Sequence, residues 1–359
     1  MSDPVLTLVD GKTIFVCADR SWNGRDLLDA ALFRGELQPE WEDLLRSLAA
    51  ERRADEQNLE VDDEAFDSAA EQFRYERDLI TAEETEQWLA ERGVSLEEFS
   101  AHFVRRYWAG HWDDVAAEEM AYLAAPNEMR KRLTDELVLS GKLDGMAIRQ
   151  SWRVAAYQEA ASAGIDPGLI EEQRAQFLER CGIEAEGLVG WLEQVGRDPE
   201  WLQEALMMEA IYHRDRAALL SPRAREHEIA ALRLPLTRFE VETIELDSLD
   251  AAREALLCAR DDGMSMEEVA TEGRYPYRHP EVLLEDIPED LQQKFLSVHP
   301  GDILEPIARG DGFHLCRIVG KKEPNLDDPV VKARADQRIL DRHFSDLSTR
   351  HIQWRTLLA

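Results

Sequence analysis

Four cysteines, two histidines near a pair of glutamates, and many tryptophans are the residues with the most obvious chemistry in this chain. Cys17, Cys181, Cys258 and Cys316 lie far apart and form no CxxC pair, so neither a zinc knuckle nor a dithiol redox centre is indicated. His102 and His111, near Glu118 and Glu119, are metal-ligand types. They lack the i, i+4 histidine pair that sets two imidazoles on one helix face. No G-x-S-x-G, P-loop or G-x-G-x-x-G occurs, so hydrolase, NTPase and dinucleotide readings lack support. No metal and no cofactor are expected. Binding chemistry remains. Trp88, Trp108, Trp112, Trp152, Trp191 and Trp201 are either core anchors or the lining of a groove for extended polypeptide.

The elements that must carry these residues are mostly helical. The chain has 359 residues, of which 42 are basic and 74 acidic, leaving a net charge of −32. Such a field repels nucleic acid and anionic lipid and attracts basic partners, so neither nucleic acid nor membrane is an expected partner. No run approaches the roughly 20 apolar residues of a membrane span. Met1-Ser2-Asp3-Pro4 opens no secretory signal, and the expected location is the cytoplasm. Val5–Val9 and Lys12–Val16 flank Asp10-Gly11, a hairpin cue. Helices are then expected after Ser21, stopping at Gly35, and over Glu40–Arg53.

An internal repeat follows. Val61-Asp62-Asp63 opens a segment holding Phe66, Phe73, Leu79, Trp88-Leu89, Gly93 and Phe99. Ile165-Asp166-Pro167 opens another holding Ile170, Phe177, Ile183, Trp191-Leu192, Gly196 and Leu202. The offset is 104 residues up to Leu79 and Ile183 and 103 at the tryptophans, which marks one deletion. Each copy reads as three helices, with Pro126–Trp152 bridging the two.

Beyond Ser221-Pro222 the pattern changes. Phe239, Val241, Ile244 and Leu246 make a strand with a slip near Glu242-Thr243. Helices are expected over Leu249–Arg260, Ser265–Ala270 and Pro288–Ser297, with strands at Leu283-Leu284, Ile303–Ile307 and Phe313–Val319. From Asp327 to Leu358 one amphipathic helix is expected, with Ala333, Ile339, Leu340, Phe344, Leu347 and Ile352 inward. The expected fold class is α+β: tandem helical modules, a small antiparallel-sheet domain and a C-terminal helix. The expected segments are 1–55, a first module over 56–125, a linker helix and second module over 126–222, the sheet domain over 236–323, and a C-terminal helix over 324–359 packing on the helical part.

The sheet domain resembles the parvulin-type (PpiC/rotamase) family. The resemblance rests on Glu240–Ile244 as first strand, Ala251–Leu256 as first helix and Met266–Ala270 as the short helix. It rests further on Leu296–Ile307, containing Pro300-Gly301-Asp302-Ile303-Leu304-Glu305-Pro306-Ile307, and on Gly312-Phe313-His314-Leu315 as closing strand. With its helical modules the chain is similar to SurA-like and trigger-factor-like chaperones, and to PpiC-related proteins of peptide maturation systems. That implies an unfolded or precursor polypeptide as partner, and in the last case a peptide-modifying enzyme as well.

The resemblance also implies a site. His314 stands where the family has its second histidine, and it is the one expected catalytic residue. Thr243 stands in place of the first histidine, and Arg309 in place of the hydroxyl five residues before His314. Met266 and Phe295 are expected to line an apolar pocket. Arg274, Arg278 and Arg309 would form a basic cluster at its mouth, flanked by Tyr275 and Tyr277. With the histidine pair broken, the expected function is polypeptide binding with weak or lost prolyl isomerisation. An active isomerase with an atypical site and a scaffold subunit of a peptide-modifying complex are the alternatives.

Overall fold

The computed structural model describes residues 11–112, 126–160, 164–310 and 312–355. Among these the chain forms fifteen α-helices and eight β-strands, an α+β fold. It packs as two compact units, Met1–Arg216 with His343–Ala359, and Ala217–Arg342. Among the described residues no helix is long and apolar enough to cross a membrane.

The first unit begins with β1 (Thr13–Cys17) and β2 (Arg20–Asn23), antiparallel around the two-residue turn Ala18-Asp19. The hairpin expected around Asp10-Gly11 has its first strand, Val5–Val9, outside the described residues; the described strand that follows β1 and pairs with it is β2. Asn23 caps α1 (Gly24–Phe33), with Asp26 completing a capping box. Gly35 at φ +74° ends that turn ahead of α2 (Leu37–Glu56).

The repeat folds as two three-helix modules. The first is α3 (Asp63–Glu76), α4 (Ala82–Arg92) and α5 (Leu96–Ala109). Then come α6 (Pro126–Leu139) and α7 (Lys142–Glu159). The second module is α8 (Pro167–Cys181), α9 (Leu188–Val195) and α10 (Pro199–Leu219). The Asp62 and Asp166 carboxylates accept from the N–H groups of Glu64 and Gly168 at 3.1 and 2.9 Å. Phe73 meets Trp88 edge-on at 5.4 Å, and Phe177 meets Trp191 edge-on at 5.1 Å. Gly93 and Gly196 end the middle helices at φ +68° and +66°, where a Cβ would be strained. Ser95 and Asp198 then cap the third helices. The deleted residue falls before α9, which a 3₁₀ turn at Ala185–Gly187 opens.

Trp88, Trp108 and Trp152 are buried, while Trp112, Trp191 and Trp201 are half-buried inside aromatic clusters. All six sit in apolar or aromatic clusters of the described residues, and Trp201 also borders a small cavity beside Phe33 and Met208. His102 bonds Glu136 at 2.9 Å, and His111 packs on Tyr107, Trp108 and Trp112. Glu118 and Glu119 lie outside the described residues.

The second unit starts at α11 (Pro222–Ala231), capped by Ser221. Its sheet has the order β4-β3-β7-β6, with β5 also on β3, all antiparallel. The strands are β3 (Arg238–Leu246), β4 (Tyr277–Arg278), β5 (Glu281–Leu283), β6 (Ile307–Arg309) and β7 (Gly312–Lys322). Both faces are covered. On one, α12 (Leu249–Arg260) and α13 (Met266–Gly273) pack over Ile244, Leu246 and Leu315. On the other, Leu284, Ile287 and α14 (Glu289–Ser297) pack over Phe239, Val241, Cys316 and Ile318.

That double cover explains the irregular hydrophobicity of β3. The expected slip at Glu242-Thr243 is absent from the backbone, and the apolar side chains change face instead. A bulge does occur between Glu240 and Val241 against β7. The expected strand Ile303–Ile307 is reduced to a single bridge at Ile303, because Pro306 has no N–H to donate, and β6 starts at Ile307.

The last helix, α15 (Pro329–His351), buries Val331, Ala335, Leu340, Phe344 and Leu347 and leaves Ala333 exposed. It does not run to Leu358. Residues Ile352–Trp354 form β8, which pairs with β1 and completes the sheet β2-β1-β8; residues 356–359 lie outside the described residues.

Candidate functional site

Side chains alternate along a strand, so the parity of each residue decides which face it serves. Val241, Thr243 and Glu245 of β3 share a face with His314 and Cys316 of β7, and the register sets Thr243 opposite Cys316 and Glu245 opposite His314. Between these residues and α14 lies a cavity of about 330 Å³. Leu291 and Phe295 reach it from α14, Ile287 and Val282 from the segment before it, and Ile307 and Arg309 from β6. The floor is apolar and the rim is charged, the arrangement that suits an apolar side chain on an extended peptide.

Electrostatics make the polar groups of the site quiet. Burial lowers the His314 pKa, Arg309 and Arg278 lower it further, and Glu245 only partly opposes them. The imidazole is therefore neutral at physiological pH. Burial pushes the Cys316 thiol up, with Thr243 Oγ1 3.8 Å from its sulfur, so this cysteine is no thiolate nucleophile. Arg278 Nε pairs with Glu245 Oε1 at 3.1 Å, whereas Arg309 is exposed at the rim.

Four of the expected residues meet here: His314, Thr243, Phe295 and Arg309. Arg278 joins them, and Arg274 does not, standing instead at the left-handed C-cap of α13 with φ +58°. Met266 is fully buried in the core of the opposite face, where Tyr275 and Tyr277 also pack. These three do not line the cavity. The reason is local: residues 277–278, expected in a loop, form a strand on β3, so Arg278 turns toward the cavity and Tyr277 away. The Tyr277 hydroxyl donates to Glu242 Oε1 at 2.8 Å; burial first, then that carboxylate, pushes its pKa up to about 12.

Glu245, Cys316, Val282, Ile287, Leu291 and Ile307 line the cavity without having been expected there from the sequence. The alternation Thr243, Glu245 and His314, Cys316 was the available signal. For Ile287 and Leu291 no local signal exists, since packing of α14 on the sheet brings them in.

No family model matches the sequence, and no curated protein matches it. Among solved structures, the chain is similar to a peptidylprolyl isomerase (PrsA) from Bacillus cereus, at 14% identity over 63% of this chain and 86% of that one, with a TM-score of 0.35. It is similar to foldase protein PrsA from Streptococcus pneumoniae, at 14% identity over 64% of this chain and 92% of that one, TM-score 0.26. A third similar structure is one of two SurA-like chaperones, PEB4 and Cj1289, of Campylobacter jejuni, at 8% identity over 60% of this chain and 89% of that one, TM-score 0.21.

Proposed function

We propose that this chain is a polypeptide-binding chaperone whose second unit captures an apolar side chain of an extended client, with prolyl isomerisation weak or lost. The observation that carries this reading is the cavity between β3, β7 and α14, apolar inside and charged at its rim. Its lining includes a single imidazole, His314, while Thr243 occupies the position where the resemblance implies a second. Twisting a prolyl amide over a barrier of about 18–20 kcal/mol needs groups that favour the twisted state, and one neutral imidazole supplies little of that. The net charge of −32 favours clients with basic flanks. A narrower form of the reading is service to a peptide maturation system, with a modifying enzyme as second partner; only the sequence resemblance supports it. A cytoplasmic setting is part of the proposal, supported by four unpaired cysteines.

The test is fluorescence anisotropy with extended peptides of apolar core and basic flanks, beside a protease-coupled prolyl assay. Binding in the micromolar range with background isomerisation is the expected pair of results. Absence of binding at tens of micromolar would remove the chaperone reading. An isomerisation rate like that of an ordinary parvulin would instead establish the atypical enzyme.

A further inference from the structure

A second cavity, of about 220 Å³, lies within the first unit. Phe33, Arg34 and Glu36 line it from the end of α1, Arg153 from α7, Gln173, Gln176 and Arg180 from α8, and Glu209 and His213 from α10. Three guanidiniums and two carboxylates face it, a formal charge of +1 in a chain that as a whole is strongly acidic. Arg34 Nε bonds Glu36 at 2.6 Å, and Arg149 takes the other oxygen of the same carboxylate at 2.9 Å. Arg153 bonds Glu209 at 2.5 Å and stacks over Tyr212. Among the described residues Arg180 has no carboxylate partner, and it donates to the Phe33 carbonyl at 2.5 Å. Three guanidiniums, those of Arg34, Arg149 and Arg153, thus share two carboxylates, and that of Arg180 pairs with neither. Burial and the facing Arg153 lower the pKa of Arg34, and burial keeps His213 neutral beside Glu209.

Two further observations point to a ligand. Gln173 is only 8% exposed, yet its amide makes no hydrogen bond to the described residues and borders the cavity. That amide is reached by solvent through the cavity, so a ligand entering there meets a free donor and a free acceptor. The internal repeat provides a control as well. Phe177, Trp191 and Gly196 match Phe73, Trp88 and Gly93, so the module fold accounts for them. At the same offsets, Gln173, Arg180, Glu209 and His213 fall on Ala69, Glu76, Arg106 and Gly110. The module fold therefore does not require the cavity residues.

We propose that this cavity binds an oxyanion, the carboxylate or phosphate group of a small ligand or chain end, held by Arg34, Arg153 and Arg180 with the Gln173 amide. A planar guanidinium fork suits both groups. Backbone geometry prepares Arg180 for this, because Gly35 leaves room for it: a Cβ there would lie 2.6 Å from Arg180 Cδ.

The experiment uses the full chain, with calorimetry and thermal unfolding in inorganic phosphate, in acetyl-dialanine with a free carboxylate, in its amide, and in chloride at matched ionic strength. Phosphate binding that chloride does not reproduce supports the site and assigns a phosphate source. Binding of the free acid but not the amide supports it and assigns a chain end. Exposed Arg180→Gln should weaken either by about tenfold, since it removes one charge-assisted hydrogen bond. Gln173→Leu, close in volume, should weaken it without loss of folding. No binding beyond that of chloride overturns the proposal, and so does binding unchanged in both variants.

Discussion

At the scale of single residues, strand parity separates binding from stability in the second unit. Thr243 faces the cavity and Tyr277 the opposite core, although the two belong to neighbouring strands. Thr243→Met should fill the cavity and weaken peptide binding at least tenfold, read by anisotropy. Tyr277→Phe should leave that affinity alone and cost about 1 kcal/mol of stability, the ordinary loss of one hydrogen bond, read by urea unfolding. His314 offers an electrostatic check. Its proton resonance should titrate below the usual histidine range, and Arg309→Glu should raise the midpoint, because it replaces a charge that disfavours imidazolium with one that favours it. A midpoint that does not move would separate Arg309 from the site.

At the scale of elements, most helices were legible because their ends are written locally. Asp62, Ser95, Asp166, Asp198 and Ser265 are of the residue types that favour N-caps, and each caps its helix with its side chain. Gly93→Ala and Gly196→Ala should each cost about 1 kcal/mol or more, because alanine pays for the left-handed conformation at both C-caps. Similar losses in thermal unfolding would express the equivalence of the two modules, and a loss at only one would contradict it. The short strands were less legible. β8 reads as continued helix, since Ile352 keeps the helical spacing, and only pairing with β1 ends the helix at His351. β4 is two residues long and has too little sequence for a period to show.

At the scale of the whole molecule, the chain returns to its beginning. Phe344 stacks on Trp152 at 5.7 Å, Ser348 bonds Ser151 at 2.9 Å, and β8 completes the β1 sheet, all within the first unit. Truncation after Arg342 should therefore lower the melting point of the first unit and raise its tryptophan exposure, measured by fluorescence. Charge also acts globally. Burial pushes Asp135, on α6, up to about 6 despite its bond to Lys131. The folded chain thus retains a proton that the unfolded chain releases near 3.8, so this group's contribution falls as pH rises from 3.8 to about 6. Asp135→Asn should flatten the stability profile across that window and raise stability at pH 7. An unchanged profile would show that Lys131 compensates the burial in full.

The sequence by itself determined the α+β class, the doubled helical module and the strand carrying His314. Each rests on local chemistry: caps, left-handed glycines, and hydrophobic spacing that a chain of any tertiary arrangement would display. Tertiary structure alone decided that Trp88, Trp108 and Trp152 are buried in cores, that Met266 and the two tyrosines leave the cavity between β3, β7 and α14, and that Ile287 and Leu291 enter it. It alone brought Arg34, Arg153 and Arg180 to one cavity across more than a hundred residues of chain. Sequence spacing carries periods within an element, whereas the choice of facing partner is made by burial between elements distant in the chain.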